Sequence, residues 1–338
     1  MKQVIECPYC DGQAEMKKEN KELNFRKESY KVVAHFYKCN QCAEEFTTTD
    51  TDTLTILQAH NQYREKHRIP FIEDICAIRG NYELPANKMS EVLGLGVNGY
   101  SNYEKGEIPS PAIGNLIHTI SEPTVFIGLL QGAKYLFTNN AYVKAMAKVN
   151  SLIQKEKDVN PFYYKINLYD DANNFTGYKK PNYDKLANLI IAFITRCKPQ
   201  FNDRLKMNKL LYYVDFYHYK LVGFSLTGLS YRAIQYGPVP TYYENLYTYF
   251  ENAGVICSSW TKTENGAGKE VFQTTGEFDA TYYNTEELET IETIISKFKN
   301  TSSWDLIDLS HKEKGWMELK AEKGIISYQE YAFELMGV

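Results

Sequence analysis

The spacing of apolar positions divides the chain into unlike stretches. In residues 1–46 large aliphatics are few. The run at 30–38, Tyr-Lys-Val-Val-Ala-His-Phe-Tyr-Lys, is β-branched and aromatic, and it predicts a strand that delivers Cys39. Residues 47–51 are polar and suit a helix start. Leu54, Ile56 and Leu57 then open a helical stretch to about His67, which Pro70 stops. From Phe71 to about Asn139 several short helices are expected, split by Gly and Pro. Residues 150–181 collect Asn160-Pro161, Asp170-Asp171, Asn173-Asn174, Gly177 and Lys180-Pro181, and read as a linker or loose insertion. Leu186, Leu189, Ile190, Phe193 and Ile194 lie on one helical face. Leu210, Leu211, Val214 and Tyr217 do the same. Gly237-Pro238-Val239-Pro240 breaks the next section. Residues 263–269 resemble a hairpin tip, and helices resume at 286–299 and 303–312.

These stretches predict a multidomain, mainly α protein. We expect a small β-rich ribbon at 1–46, a connecting helix at 47–69 and a helical domain at 70–135. A linker at 136–180 and a mainly helical domain at 181–338 with a small β hairpin would follow. A chain of 338 residues has room for two or three domains. Its 38 Lys and Arg against 42 Asp and Glu give a net charge of −4, which excludes a uniformly basic nucleic-acid coat but leaves room for one local basic face. No apolar run reaches the ~18 residues of a membrane span, and the first residues lack a signal-peptide core, so a cytoplasmic protein is expected.

Four of the seven cysteines form two pairs, Cys7-Pro-Tyr-Cys10 and Cys39-Asn-Gln-Cys42. A Cys-x-x-Cys turn aims two thiolates at one ion, and two such turns complete a tetrahedral four-sulfur zinc site. With every position filled by sulfur, no place remains for a reactive water, so the expected Zn2+ is structural. A module of this size needs such a staple, and metal removal is expected to unfold 1–46 while sparing the C-terminal half. Cys76, Cys197 and Cys257 stand alone and suit core positions.

Residues 84–106 read as helix, glycine turn and second helix. Pro85 suits a first turn, and Gly94 a left-handed one. Leu93, Tyr100 and Tyr103 would face inward. Val97, Asn98, Gly99 and Asn102 would face outward, where a recognition helix meets base edges. Asn can bond adenine twice, and Val can touch a thymine methyl. Gly99 costs ~1 kcal/mol in a helix against Ala, which suggests a close approach, for instance to a DNA backbone. The basic cluster Arg64, Lys66, His67 and Arg68 ends the preceding helix, and Arg64 and Lys66 are expected at phosphates.

The two cysteine pairs, the run from Asn61 to Pro70, Ile75-Cys-Ala-Ile-Arg79, Lys88-Met-Ser-Glu91, Asn98-Gly-Tyr100 and Tyr103-Glu-Lys-Gly106 together resemble the MqsA-like antitoxins over roughly 1–135. That resemblance implies a zinc-binding N-terminal domain joined to an Xre-type helix-turn-helix. It also implies a dimeric repressor that binds operator DNA and neutralises a toxin. One departure is Ala86 in Leu84-Pro85-Ala86, where many Xre-type domains carry a DNA-touching Gln.

Further on, Lys206-Met-Asn-Lys-Leu-Leu-Tyr-Tyr-Val-Asp215, then Gly228 through Tyr236-Gly-Pro-Val-Pro240, then Leu309-Ser-His311 to Trp316 occur in order. These blocks resemble the Panacea domain, which implies a toxin-neutralising module without catalysis. Asp215, His218 and His311 could form a polar cluster, or each could simply satisfy nearby groups and hold the fold. No P-loop and no Gly-x-Ser-x-Gly occurs. The expectation is an antitoxin and autorepressor rather than an enzyme, with a protein toxin encoded beside it. The alternative is a regulator or proteolytic adaptor without a toxin. The chain holds 28 Tyr, crowded between 212 and 249. Some would be core, and Tyr242, Tyr243 and Tyr247 are expected on a partner-binding surface.

Overall fold

The computed structural model describes residues 2–158, 165–262 and 268–338. Its first element is a four-stranded antiparallel sheet of β1 (Val4–Glu6), β2 (Gln13–Phe25), β3 (Glu28–Cys39) and β4 (Glu45–Phe46), in that order. The long β2–β3 hairpin runs in register from Ala14↔Cys39 to Phe25↔Glu28. Its two-residue turn places Arg26 and Lys27 at φ 48° and 69°. Both central residues are left-handed there, which matches the twist of the flanking strands. β3 was expected from its sequence. β2 was not, because most of its residues are exposed and show no alternation.

Helix α1 (Thr49–Lys66) covers the free edge of β3. The Gln58 amide donates to the Val33 carbonyl at 2.9 Å and accepts from the Val33 N–H at 2.8 Å, so it acts as a short substitute strand. Such cover blunts an edge that would otherwise be open to pairing.

Helices α2 (Ile72–Tyr82), α3 (Ala86–Val92), α4 (Gly99–Glu104), α5 (Pro111–Thr119), α6 (Pro123–Gly132) and α7 (Asn139–Asp158) follow. Ile75, Met89, Tyr100, Ile117, Phe126, Leu130 and Val149 share one apolar core. The expected linker at 136–180 is therefore corrected. Ala145 and Val149 of α7 are buried in that core, and Asn167, Thr176 and Tyr178 are buried further on. The apolar spacing of α7 outweighs its polar surface residues.

The C-terminal half is built on α9 (Arg204–Val222), after α8 (Tyr183–Arg196). Asp203 caps α9 and Gly223 ends it at φ 75°. All of 206–216 is buried, so this helix is apolar-packed on every side. Around it lie β5 (Tyr231–Ile234), β6 (Gly237–Pro240), α10 (Tyr243–Asn252), β7 (Cys257–Lys262), β8 (Gly268–Gln273), α11 (Thr285–Phe298), α12 (Ser303–Ser310), α13 (Lys314–Leu319) and α14 (Tyr328–Tyr331). β5 pairs with β6 and β7 with β8, both antiparallel. The expected hairpin tip at 263–269 falls mainly on 263–267, outside the described residues.

Two compact units result: Met1–Ala59 together with Tyr164–Val338, and His60–Tyr163. The sheet and the C-terminal half thus share one unit. Residues 327–337 strap them together. Gln329 donates to the Gln58 side chain at 2.8 Å and accepts from the Tyr219 hydroxyl at 2.8 Å. Lys18 of β2 donates to the Phe333 carbonyl at 2.6 Å, and the His35 ring lies 5.4 Å from Phe333. Lys220 donates to the Leu335 carbonyl, and buried Glu313 accepts from the backbone of Met336 and Gly337. No single helix among the described residues is long and apolar enough to cross a membrane.

Candidate functional site

The cysteine pairs sit at the two ends that the sheet brings together: Cys7 and Cys10 after β1, Cys39 at the end of β3, and Cys42 before β4. Their four sulfurs lie within 4.8 Å of one another. Cys10 and Cys39 are 3.4 Å apart, and Cys7 and Cys42 3.8 Å. Tetrahedral zinc with bonds of ~2.3 Å needs sulfur–sulfur edges of about 3.8 Å, whereas a disulfide closes to about 2.05 Å. The spacing fits an ion and not a bridge. Backbone N–H groups of Cys42 and Gln41 donate to the Cys39 sulfur, and they pull its thiol down to about 6, which favours the ligating thiolate. The cluster can hold a metal and offers it no open position.

In the second unit α3 and α4 form the expected pair. Gly94 between them stands at φ 68°, a left-handed position that other residues adopt at a cost. Ser90 accepts from the Tyr100 N–H at 2.9 Å, and the Tyr100 hydroxyl donates to the Ile75 carbonyl at 2.9 Å. Arg79 of α2 donates to Glu104 of α4 at 2.6 Å and to the Leu84 carbonyl. α4 is thereby fixed from α2 and α3 at once. Ser90, Arg79 and Glu104 carry this scaffold. All three lie in the runs that carry the family resemblance, but their role as a scaffold is not readable there, since a mid-helix Ser and an Arg–Glu pair are common surface features.

The outward residues fall as expected at the start of α4, though the helix begins only at Gly99, so Val97 and Asn98 lie in the turn before it. Val97 is 71% exposed, and Asn98 and Asn102 are exposed. Two positions are corrected. A Cβ on Gly99 would stand 3.0 Å from the Leu95 Cβ, so the close approach there is to the chain itself and needs no DNA. Arg64 is 3% exposed and donates to the Pro70, Gly106 and Glu107 carbonyls, so it does not reach for a phosphate, whereas Lys66 is exposed.

In the C-terminal half the polar residues turn inward. Asp215 is fully buried and accepts from the backbone of Leu226 and Thr227, the Thr227 hydroxyl and, at 2.7 Å, the Tyr231 hydroxyl. Burial still raises its carboxyl to about 6. His218 bonds Thr290 at 2.9 Å, and burial pushes it down to about 3. His311 stacks on Trp316, with ring centroids 3.8 Å apart. Asp215 and His218 thus have hydrogen-bond partners, as expected for groups that hold a fold, whereas His311 Nε2 is buried with none among the described residues. Lys209 is buried too, donates to the Pro238 carbonyl at 2.9 Å and is pushed down to about 7 by desolvation.

Tyr247 is corrected in the same way. It is fully buried and donates to Asn208 at 2.7 Å, because α10 turns it onto the core. Tyr242 and Tyr243 are half-buried.

Comparison with known proteins agrees in order with these two regions. Residues 5–122 match the model of the MqsA family, the antitoxin component of a bacterial toxin-antitoxin system. Residues 207–317 match the antitoxin SocA-like Panacea domain. No curated protein matches the chain. The chain therefore joins an MqsA-type antitoxin region to a SocA-like Panacea domain, two antitoxin families of toxin-antitoxin systems in one polypeptide.

Proposed function

We propose that the chain is a DNA-binding antitoxin that represses its own promoter and neutralises a protein toxin encoded beside it. The observation that carries the reading is the succession of two antitoxin regions, the first ending in a scaffolded helix pair with exposed Val97, Asn98 and Asn102. The Asn98 and Asn102 side chains have no hydrogen-bond partner among the described residues, which suits groups kept for base edges. Lys66 supplies a phosphate contact. A two-fold dimer would place its helices on half-sites about 34–36 Å apart.

Cys7, Cys10, Cys39 and Cys42 hold structural zinc in this reading, and no catalytic step is involved. The Panacea half meets the toxin, with Tyr242 and Tyr243 offered to that surface. The protein works in the cytoplasm, where thiols stay reduced. The test is expression of the adjacent open reading frame alone and with this chain. Toxicity relieved by co-expression is the expected result. A frame that is harmless, or toxic without rescue, would replace the antitoxin reading with that of a regulator or adaptor.

A further inference from the structure

Arg64 stands out in the second unit as a buried cation that donates to backbone carbonyls at two separate places in the chain. One guanidinium nitrogen donates to the Pro70 carbonyl at 2.6 Å, and the other to those of Gly106 and Glu107 at 3.4 and 3.3 Å. Pro70 lies just before α2, and Gly106 and Glu107 just after α4. A single planar fork therefore grips both ends of the 72–104 segment that contains the helix pair. We propose that Arg64 is a positioning residue for DNA readout, setting the angle at which α4 presents Val97, Asn98 and Asn102. The inference rests on the DNA-binding reading above.

The physical argument is one of geometry and range. Three carbonyls at two places must be met from one side chain on α1. Arg offers five donors in a fixed plane, and a fork of this kind is pre-organised. Lys brings the same charge but only a compact point on a flexible stem, so it can hold one carbonyl and release another. The last residue of α4, Glu104, is tied by Arg79, and the turn after it by the Gly106 N–H to the Tyr103 carbonyl. Loss of the Arg64 grip loosens the segment after α4, at Gly106 and Glu107, without removing the anchors Glu104 and fully buried Tyr100. A small tilt suffices, because base contacts need hydrogen-bond geometry while the backbone charge field does not.

Arg64→Lys and Arg64→Gln are compared with wild type and with Lys66→Ala. The probe is the duplex immediately upstream of the coding sequence, titrated by gel shift over a salt series against a scrambled duplex. For both Arg64 variants we expect at least tenfold weaker binding to the upstream duplex and unchanged binding to the scrambled one. Their salt slope stays at the wild-type value. Lys66→Ala weakens both duplexes and lowers the slope by about one, the mark of a lost phosphate contact. Far-UV circular dichroism reads whether the helices persist. Wild-type affinity in both variants, a slope lowered by about one, or unfolding of both overturns the positioning role; the last would make Arg64 a plain fold requirement. Failure of the wild-type chain itself to prefer the upstream duplex would overturn the DNA-binding reading instead.

Discussion

The two units place their most conspicuous polar residues differently. The helical unit, His60–Tyr163, has an apolar core of residues close in sequence, and it leaves Asn98 exposed just before a short helix and Asn102 exposed on it. The larger unit draws on both ends of the chain and takes its most reactive-looking groups inside. Asp215, His218, Lys209 and Glu313 are all buried there and given partners. Polar residues of similar appearance in sequence thus serve as surface at Asn98 and Asn102 and as internal joints at Asp215 and His218, as they also do at Arg64 and Ser90 within the helical unit. Burial, which single-sequence patterns read poorly for polar groups, separates the two uses.

The largest effect expected concerns the metal. Structural zinc in small modules is worth on the order of 10 kcal/mol. A free-standing ribbon would lose its structure alone on chelation. The Gln58–Gln329, Lys18–Phe333 and His35–Phe333 contacts make a different outcome the expected one. All three tryptophans, Trp260, Trp304 and Trp316, lie in the larger unit, so their emission reports on it selectively. Chelation, or Cys39→Ser, should lower the thermal midpoint seen by tryptophan emission. An unchanged midpoint with loss of ribbon structure would restore the independent ribbon expected from sequence and weaken the contrast between the units.

A smaller effect is expected at the internal joint. Asp215→Ala removes both acceptor oxygens from four donors, two of them backbone N–H groups in the interior. The cost should be on the order of 3–5 kcal/mol, as for other broken buried networks. Asp215→Asn keeps one acceptor and should cost less. Denaturant titration checks both, and a change below ~1 kcal/mol for the alanine variant would mean that the network is not a joint.

Much of this was legible in the sequence, for identifiable reasons. The cysteine pairs, β3, the turn at Gly94 and the apolar face of α8 follow from spacing and local backbone preference. What was missed depends on distant partners. β2 is polar on both faces and exists by pairing with β3. Arg64 looked like a phosphate contact because it sits in a basic run, but its three carbonyl partners include two more than 40 positions away. Tyr247 and four others of the crowded tyrosines, Tyr212, Tyr213, Tyr219 and Tyr231, went to the core. Tyr213, Tyr219, Tyr231 and Tyr328 each bury a ring while the hydroxyl finds Glu313, Gln329, Asp215 or the Leu229 carbonyl. The tyrosine surplus thus supplies building material to the larger unit as well as surface. The 145–153 stretch did carry a helical signal in Ala145, Val149, Leu152 and Ile153, which the polar run after it obscured.

The smallest change in stability should bring the sharpest change in function. Asn98→Ala with Asn102→Ala touches only exposed side chains, so the fold should be unaffected, while each lost base contact is worth roughly 1–3 kcal/mol of discrimination. The most direct measurement places this double variant in cells with the adjacent reading frame and a reporter on the upstream promoter. The account predicts a derepressed promoter and full relief of toxicity, because reading DNA and meeting the toxin belong to different units. A promoter still silent, or relief lost along with repression, would contradict it.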